Sequence, residues 1–158
     1  EARGWRKAGY RQRAVELLGR VGLTGFLDNL PDELSGGMRQ RVSVVRALLH
    51  DPPLLLMDEP FASLDLLTRD QMTLDFQRLC MDAGKTILFV THSVSEAVFL
   101  ADRVVVLTPR PGRIAEIFQI DLPRPRRLAD RAGTDFGRYE AAIRSVLERH
   151  GILTEVPQ

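Results

Sequence analysis

A single cysteine, Cys80, stands among 158 residues. No disulfide can therefore close within the chain, and the composition suits a reducing compartment. Long apolar runs are missing too: none approaches the ~20 residues that a membrane-spanning helix needs. Any membrane role is therefore expected to be peripheral, through a partner. An excess of one charge is absent, with a formal net charge of +1, so no global field favours nucleic acid or an anionic membrane. The N-terminus shows no signal-peptide pattern, and the first residue is Glu1 rather than Met. Internal repeats and low-complexity tracts are lacking. What remains is 44% hydrophobic and 27% charged, an ordinary composition for one globular domain.

The hydrophobic pattern divides the chain into helices and strands. Tyr10, Ala14, Leu17, Leu18 and Val21 recur at helical spacing, with Gly22 as the stop. Ser35 sits where an N-cap belongs, ahead of a second stripe of Met38, Val42, Val45 and Leu49. Pro52 and Pro53 end that helix. Leu54 to Met57 is a continuous apolar run closed by Asp58-Glu59-Pro60. Such a run without alternation predicts a strand buried on both faces, as in a parallel sheet. Met72, Phe76, Leu79, Cys80 and Ala83 mark a third helix, closed by Gly84, and Thr86 to Thr91 a second buried strand. Ser93 and Glu96 fit a capping box, with Glu96 reaching back to the N-cap. Arg103 to Thr108 and Ile114 to Ile120 predict a hairpin. Asp121 to about Asp135 reads as a linker or extended arm, its basic run Pro123-Arg124-Pro125-Arg126-Arg127 more simply a solvated linker than a contact for lipid head groups or RNA, before a last helix with Tyr139, Ile143, Val146, Leu147 and His150 on one face.

Alternating strands and helices imply an α/β parallel sheet, and ligands in such sheets sit beyond the carboxyl ends of the strands. Two strand ends carry chemistry: Asp58-Glu59 and His92. One carboxylate there can hold a Mg²⁺ that keeps most of its waters, and the next can deprotonate an attacking water. A solvated acidic turn is the plainer alternative. Ser35-Gly36-Gly37 opens a helix whose N–H groups and dipole favour an anion, though a plain N-cap fits the same residues. A lone histidine is commonly structural, and His50 and His150 read so at helix C-termini. The strand-end place of His92 makes a phosphate contact plausible. Cys80 reads as core, and Trp5 has no motif around it.

The order of these signals is more specific than any one of them. Leu34-Ser35-Gly36-Gly37-Met38-Arg39-Gln40-Arg41 resembles the signature motif of the ABC ATPases. Leu54-Leu55-Leu56-Met57-Asp58-Glu59-Pro60 looks like the Walker B strand, Ala62-Ser63-Leu64-Asp65 like the D-loop, and Thr91-His92 like the switch histidine. The resemblance implies the C-terminal part of a P-loop NTPase (ABC ATPase) core, with a parallel sheet, preceded by the end of the helical subdomain. On it, residues 1–51 are the helical subdomain's end, 52–120 the core's C-terminal part, and 121–158 a linker and terminal helix.

By the same resemblance the chain uses ATP and Mg²⁺ in a head-to-tail dimer with a second ATPase subunit. Ser35, Gly36 and Gly37 bind the γ-phosphate of the ATP held by the other subunit. Asp58 holds Mg²⁺ through water, Glu59 is the general base, His92 contacts the γ-phosphate, and Asp65 couples the two sites. Met38 departs from the family, which often has Gln there, so that side chain's polar role does not transfer. No G-x-x-x-x-G-K-[ST] loop occurs in the sequence. The family places that loop and a glutamine loop upstream of the signature, so both are expected before Glu1, and the chain is expected to be a fragment. Met57 to Phe61, Ser93 to Ala97 and Asp102 to Leu107 look like bacterial importer ATPases. Pro111 to Ile114 and Ile120 to Arg126 resemble the nitrate, sulfonate and taurine group. Expected partners are then permease subunits and, indirectly, a solute-binding protein, at the cytoplasmic face of the membrane, with no nucleic acid. A soluble non-transport ABC ATPase and a silent interaction module are the competing readings.

Overall fold

The computed structural model describes residues 7–153, in two units that divide between Val90 and Thr91. In the first unit, helices α1 (Lys7–Arg20) and α2 (Gly36–Leu49) pack together. α1 stops as anticipated, with Gly22 at a φ of 74°, a left-handed turn that glycine adopts without a Cβ clash. Val21 and Leu23 on either side are buried. Polar ties then fix the helix ends. The Tyr10 hydroxyl lies 2.6 Å from His50 Nδ1. Asp51, just past α2, accepts from Arg13 at 2.9 Å and pairs with Lys85 at 2.9 Å. The bonds from Lys85 and then Arg13 hold the Asp51 carboxyl below its ordinary range. The buried stripe of α2 is Val44, Val45 and Leu48 rather than the expected Met38, Val42, Val45 and Leu49. α2 packs against both α1 and α3, so two neighbours, not one, choose its buried face.

Strands β1 (Leu54–Asp58) and β2 (Thr86–Val90) pair in parallel, from Leu54 opposite Thr86 to Asp58 opposite Val90. Helix α3 (Leu66–Ala83) connects them, capped by Asp65 and ended at Gly84 with a φ of 57°. Leu55, Met57, Met72, Phe76 and Leu79 are buried. Phe61, Phe76 and Phe89 form a cluster with ring centroids 5.4 to 5.9 Å apart, in the tilted and edge-on geometries that aromatic rings favour. The expectation of strands buried on both faces does not hold within the described residues. Leu54, Leu56, Leu88 and Val90 are all exposed. An unbroken apolar run shows that both faces are apolar; it does not supply the layer that covers the second.

The second unit holds α4 (Val94–Leu100), the antiparallel pair β3 (Arg103–Leu107) and β4 (Ile114–Gln119), a 3-10 turn at Leu128–Ala132, and α5 (Thr134–Arg149). α5 packs on α4 and on both strands. It buries Ile143 and Val146 as expected, together with Phe136, which the stripe did not include. Tyr139 and Leu147 are half-buried, and His150 is exposed as the C-cap.

The segment read as a solvated linker is anchored instead. Arg126 is buried, and its Nη1 donates to the carbonyls of Val98 at 2.7 Å, Phe99 at 3.0 Å and Ala101 at 2.8 Å. Its Nη2 reaches the carbonyls of Ile120 at 3.4 Å and Leu122 at 3.1 Å. The guanidinium thus satisfies the carbonyls left over at the end of α4. Burial, and then the charge of Arg124, bring its pKa down to about 10. Arg124 adds an ion pair to Asp102 at 2.9 Å.

Candidate functional site

Asp58 is the last residue of β1 and is exposed. Glu59 follows with a φ of 45°, a left-handed backbone that costs a residue other than glycine about 1–3 kcal/mol. The Glu59 N–H donates to the Val90 carbonyl at 2.9 Å. The ladder between the strands therefore runs one residue past Asp58 and holds Glu59 in that strained position. A tight turn comes next, with Ala62 N–H to Glu59 O and Leu64 N–H to Phe61 O, each at 3.2 Å. Buried Phe61 anchors it from below. From above, Arg69 of α3 donates to Ala62 O at 3.3 Å and Leu64 O at 3.0 Å. The turn ends at Asp65, whose Oδ1 accepts the Thr68 N–H at 3.1 Å. The Thr68 side chain, and then that capping bond from its N–H, hold the Asp65 carboxyl below its ordinary range.

The start of α2 lies beside the start of α3. Ser35 Oγ accepts the Met38 N–H at 3.2 Å, which leaves the hydroxyl proton available to donate. The N–H groups of Gly36 and Gly37 have no acceptor among the described residues. The two glycines differ in surroundings. A Cβ on Gly36 would meet nothing within 4 Å, whereas one on Gly37 would lie 2.6 Å from Thr68 Cγ2. Gly36 thus leaves the backbone open to a ligand, and Gly37 lets α2 approach α3. Deeper in the same contact, Arg41 Nε sits 3.4 Å from Asp75 Oδ2, and Gln71 donates to the buried Asp75 at 2.9 Å. Gly37→Ala is expected to destabilise the chain by about 1–3 kcal/mol through overpacking. Gly36→Ala is expected to shift stability by less than about 0.5 kcal/mol. Urea denaturation of the two variants checks both values.

The structure therefore brings Ser35, Gly36 and Gly37 next to the helix that Asp65 caps, and a short turn joins Asp58 and Glu59 to that same helix. His92 belongs to the second unit, exposed, between Thr91 and the N-cap Ser93 of α4. The reach of Glu96 back toward the N-cap is made indirectly. Ser93 N–H donates to Thr91 Oγ1 at 3.0 Å, and that hydroxyl donates to Glu96 at 2.7 Å. Cys80 is half-buried on α3. Sequence reasoning missed Arg126 and Thr68. A basic residue set between prolines carries no periodic signal of burial, and the Gly37–Thr68 approach joins residues 31 positions apart.

These residues suit a nucleotide and its metal. Among the described residues, no group of three or more His, Cys, Asp or Glu could hold a metal ion on protein ligands alone. One exposed carboxylate at a strand end fits a Mg²⁺ that keeps waters and borrows phosphate oxygens. Two unused N–H groups and a hydroxyl at the start of a 14-residue helix fit the oxygens of a terminal phosphate. Among the described residues, no helix is long and apolar enough to cross a membrane.

A parallel strand pair, one strand of which ends in carboxylates, beside a glycine-opened helix defines an α/β domain. The family model for "ABC transporter" matches residues 3–62. An uncharacterised ABC transporter ATP-binding protein of Methanocaldococcus jannaschii is 51% identical over 135 residues, covering 85% of this chain and 49% of that protein. The taurine import ATP-binding protein TauB of Rhizobium johnstonii is 45% identical over 142 residues, covering 85% of this chain and 53% of its own length. Among solved structures, an ATP-binding cassette in a dimeric post-hydrolysis state bound to ADP and Pi superposes with a TM-score of 0.60 at 29% identity, covering 78% of this chain and 52% of that one. The chain belongs to the ABC transporter ATP-binding family, and its fold is that of the ABC ATPase domains. It spans about half the length of the curated relatives it matches.

Proposed function

We propose that this chain is part of the ATP-hydrolysing subunit that energises import of nitrate, a sulfonate or a related small anion through an ABC transporter. The observation that carries the reading is the start of α2, where the Gly36 and Gly37 N–H groups lack an acceptor among the described residues beside the helix capped by Asp65. In the proposed head-to-tail dimer that turn meets the γ-phosphate of an ATP held by the second subunit. Its N–H groups and the Ser35 hydroxyl donate to the phosphate oxygens and stabilise the charge that spreads over them during transfer. Asp58 orients the waters of Mg²⁺; the metal, when bound, neutralises the phosphates. Glu59 takes the proton of the attacking water, and His92 donates to the γ-phosphate. Asp65 couples the two sites across the dimer interface. Permease subunits and a solute-binding protein complete the assembly, and the subunit sits at the cytoplasmic face of the membrane. The kinship with a taurine import protein supports the solute class.

The test is reconstitution of the full-length subunit with its permease and binding protein in vesicles. ATP hydrolysis that rises with the loaded binding protein and with taurine or nitrate supports the reading. Hydrolysis indifferent to the permease contradicts it. The 158-residue chain alone, with no G-x-x-x-x-G-K-[ST] in its sequence, is expected to give no binding heat with micromolar Mg-ATP. One helix start and one carboxylate pair do not replace a backbone cradle around the phosphates. Submicromolar affinity in calorimetry contradicts that expectation.

A further inference from the structure

We propose that Thr91 and Glu96 form a clamp that positions His92, and that the Thr91 hydroxyl is the element through which it acts. The inference rests on the proposed contact between His92 and the γ-phosphate. Thr91 Oγ1 accepts the Ser93 N–H at 3.0 Å and donates to Glu96 Oε2 at 2.7 Å. Glu96 N–H in turn donates to Ser93 Oγ at 3.2 Å. The three residues close a ring of hydrogen bonds whose covalent link from Thr91 to Ser93 is His92 itself. Glu96 is only 5% exposed, so its carboxylate is a fixed, desolvated anchor rather than a solvated charge, and the first turn of α4 favours a negative group there. Thr91 and Ser93 are half-buried, while His92 is exposed. The chain on either side of His92 is thus tied down.

An ordinary N-cap needs only Ser93. The Thr91 hydroxyl adds two bonds across His92, to Ser93 and to Glu96, that capping does not require. Thr91 and Glu96 touch no reacting atom in this account; they are positioning residues. Their effect is on how often the imidazole is where the phosphate needs it, because small displacements of a positioned group cost rate steeply.

The experiment is steady-state hydrolysis by the full-length subunit carrying Thr91→Val, Thr91→Ser, His92→Ala and the double change Thr91→Val/His92→Ala. Thr91→Val, nearly isosteric but without the hydroxyl, is expected to lower kcat about tenfold with KM for ATP unchanged. Thr91→Ser, which keeps the hydroxyl, is expected to stay within about twofold of the parent. In the His92→Ala background, Thr91→Val is expected to have no further effect, since a clamp with nothing to position has no rate to lose. Should Thr91→Val fail to fold, Thr91→Ala removes the same hydroxyl without the added methyl and makes the same comparison. A full multiplicative loss in the His92→Ala background, or parental kcat for the variant lacking the hydroxyl, overturns the clamp. Parental kcat for His92→Ala alone overturns instead the role of His92 on which the clamp depends.

Discussion

Glu59→Gln in the full-length subunit is expected to lower the hydrolysis rate about 10²–10⁴-fold, the usual loss when a general base is removed. Affinity for Mg-ATP is expected to stay near the parent's. The amide is nearly isosteric with the carboxylate, so the turn it occupies is undisturbed. The N–H bond to Val90 O and the turn bond from Ala62 N–H to Glu59 O belong to the backbone and survive the change. What is lost is the ability to accept a proton from water. The left-handed φ of 45° at Glu59 adds a second comparison. Glu59→Gly removes the backbone strain and the base together, so it is expected to be as inactive as Glu59→Gln yet no less stable. Single-turnover hydrolysis and equilibrium nucleotide binding check the pair; a rate within threefold of the parent for Glu59→Gln, about 0.7 kcal/mol in the barrier, removes Glu59 as the base.

The second large effect concerns folding. Arg126→Met keeps the length and apolar stem of the side chain but removes the fork that holds five carbonyls of the second unit. Those of Val98, Phe99 and Ala101 belong to the last turn of α4 and its cap, where no further helical N–H is available. Leaving such groups buried without donors is expected to cost about 3 kcal/mol or more. Arg126→Lys is expected to recover little, because a single ammonium cannot fork across two sets of acceptors. Urea denaturation of the chain measures both. A loss below about 1 kcal/mol for Arg126→Met would show that the carbonyls find other donors and that the arm is held mainly by packing.

Where local rules decide, the sequence was legible. Ser35, Asp65 and Ser93 are N-caps because their side-chain oxygens reach the N–H three residues on, and Gly22 and Gly84 end helices because they take a positive φ. The strand that ends in Asp58-Glu59 was recognisable as an apolar run closed by charge. The burial of that strand was only half legible. Leu54 and Leu56 are as apolar as Leu55 and Met57, yet they are exposed while the other two are buried. Composition reports the character of a face and is silent on its neighbour. The stripe of α2 shifted for a related reason, since contacts with both α1 and α3 set it. Gly36 and Gly37 read alike in the sequence, and only the position of Thr68 separates a glycine left open for a ligand from one required by packing. Arg126 was the largest misreading: between prolines, a buried guanidinium and a solvated one look the same, and the carbonyls it serves lie up to 28 positions away.

The most direct test of the central claim is a structure of the full-length Glu59→Gln subunit trapped with Mg-ATP. The account predicts a head-to-tail dimer in which the Gly36 and Gly37 N–H groups and the Ser35 hydroxyl of one copy lie within about 3.2 Å of the γ-phosphate oxygens of the ATP on the other. A nucleotide bound with its γ-phosphate away from the start of α2 in both copies would contradict it.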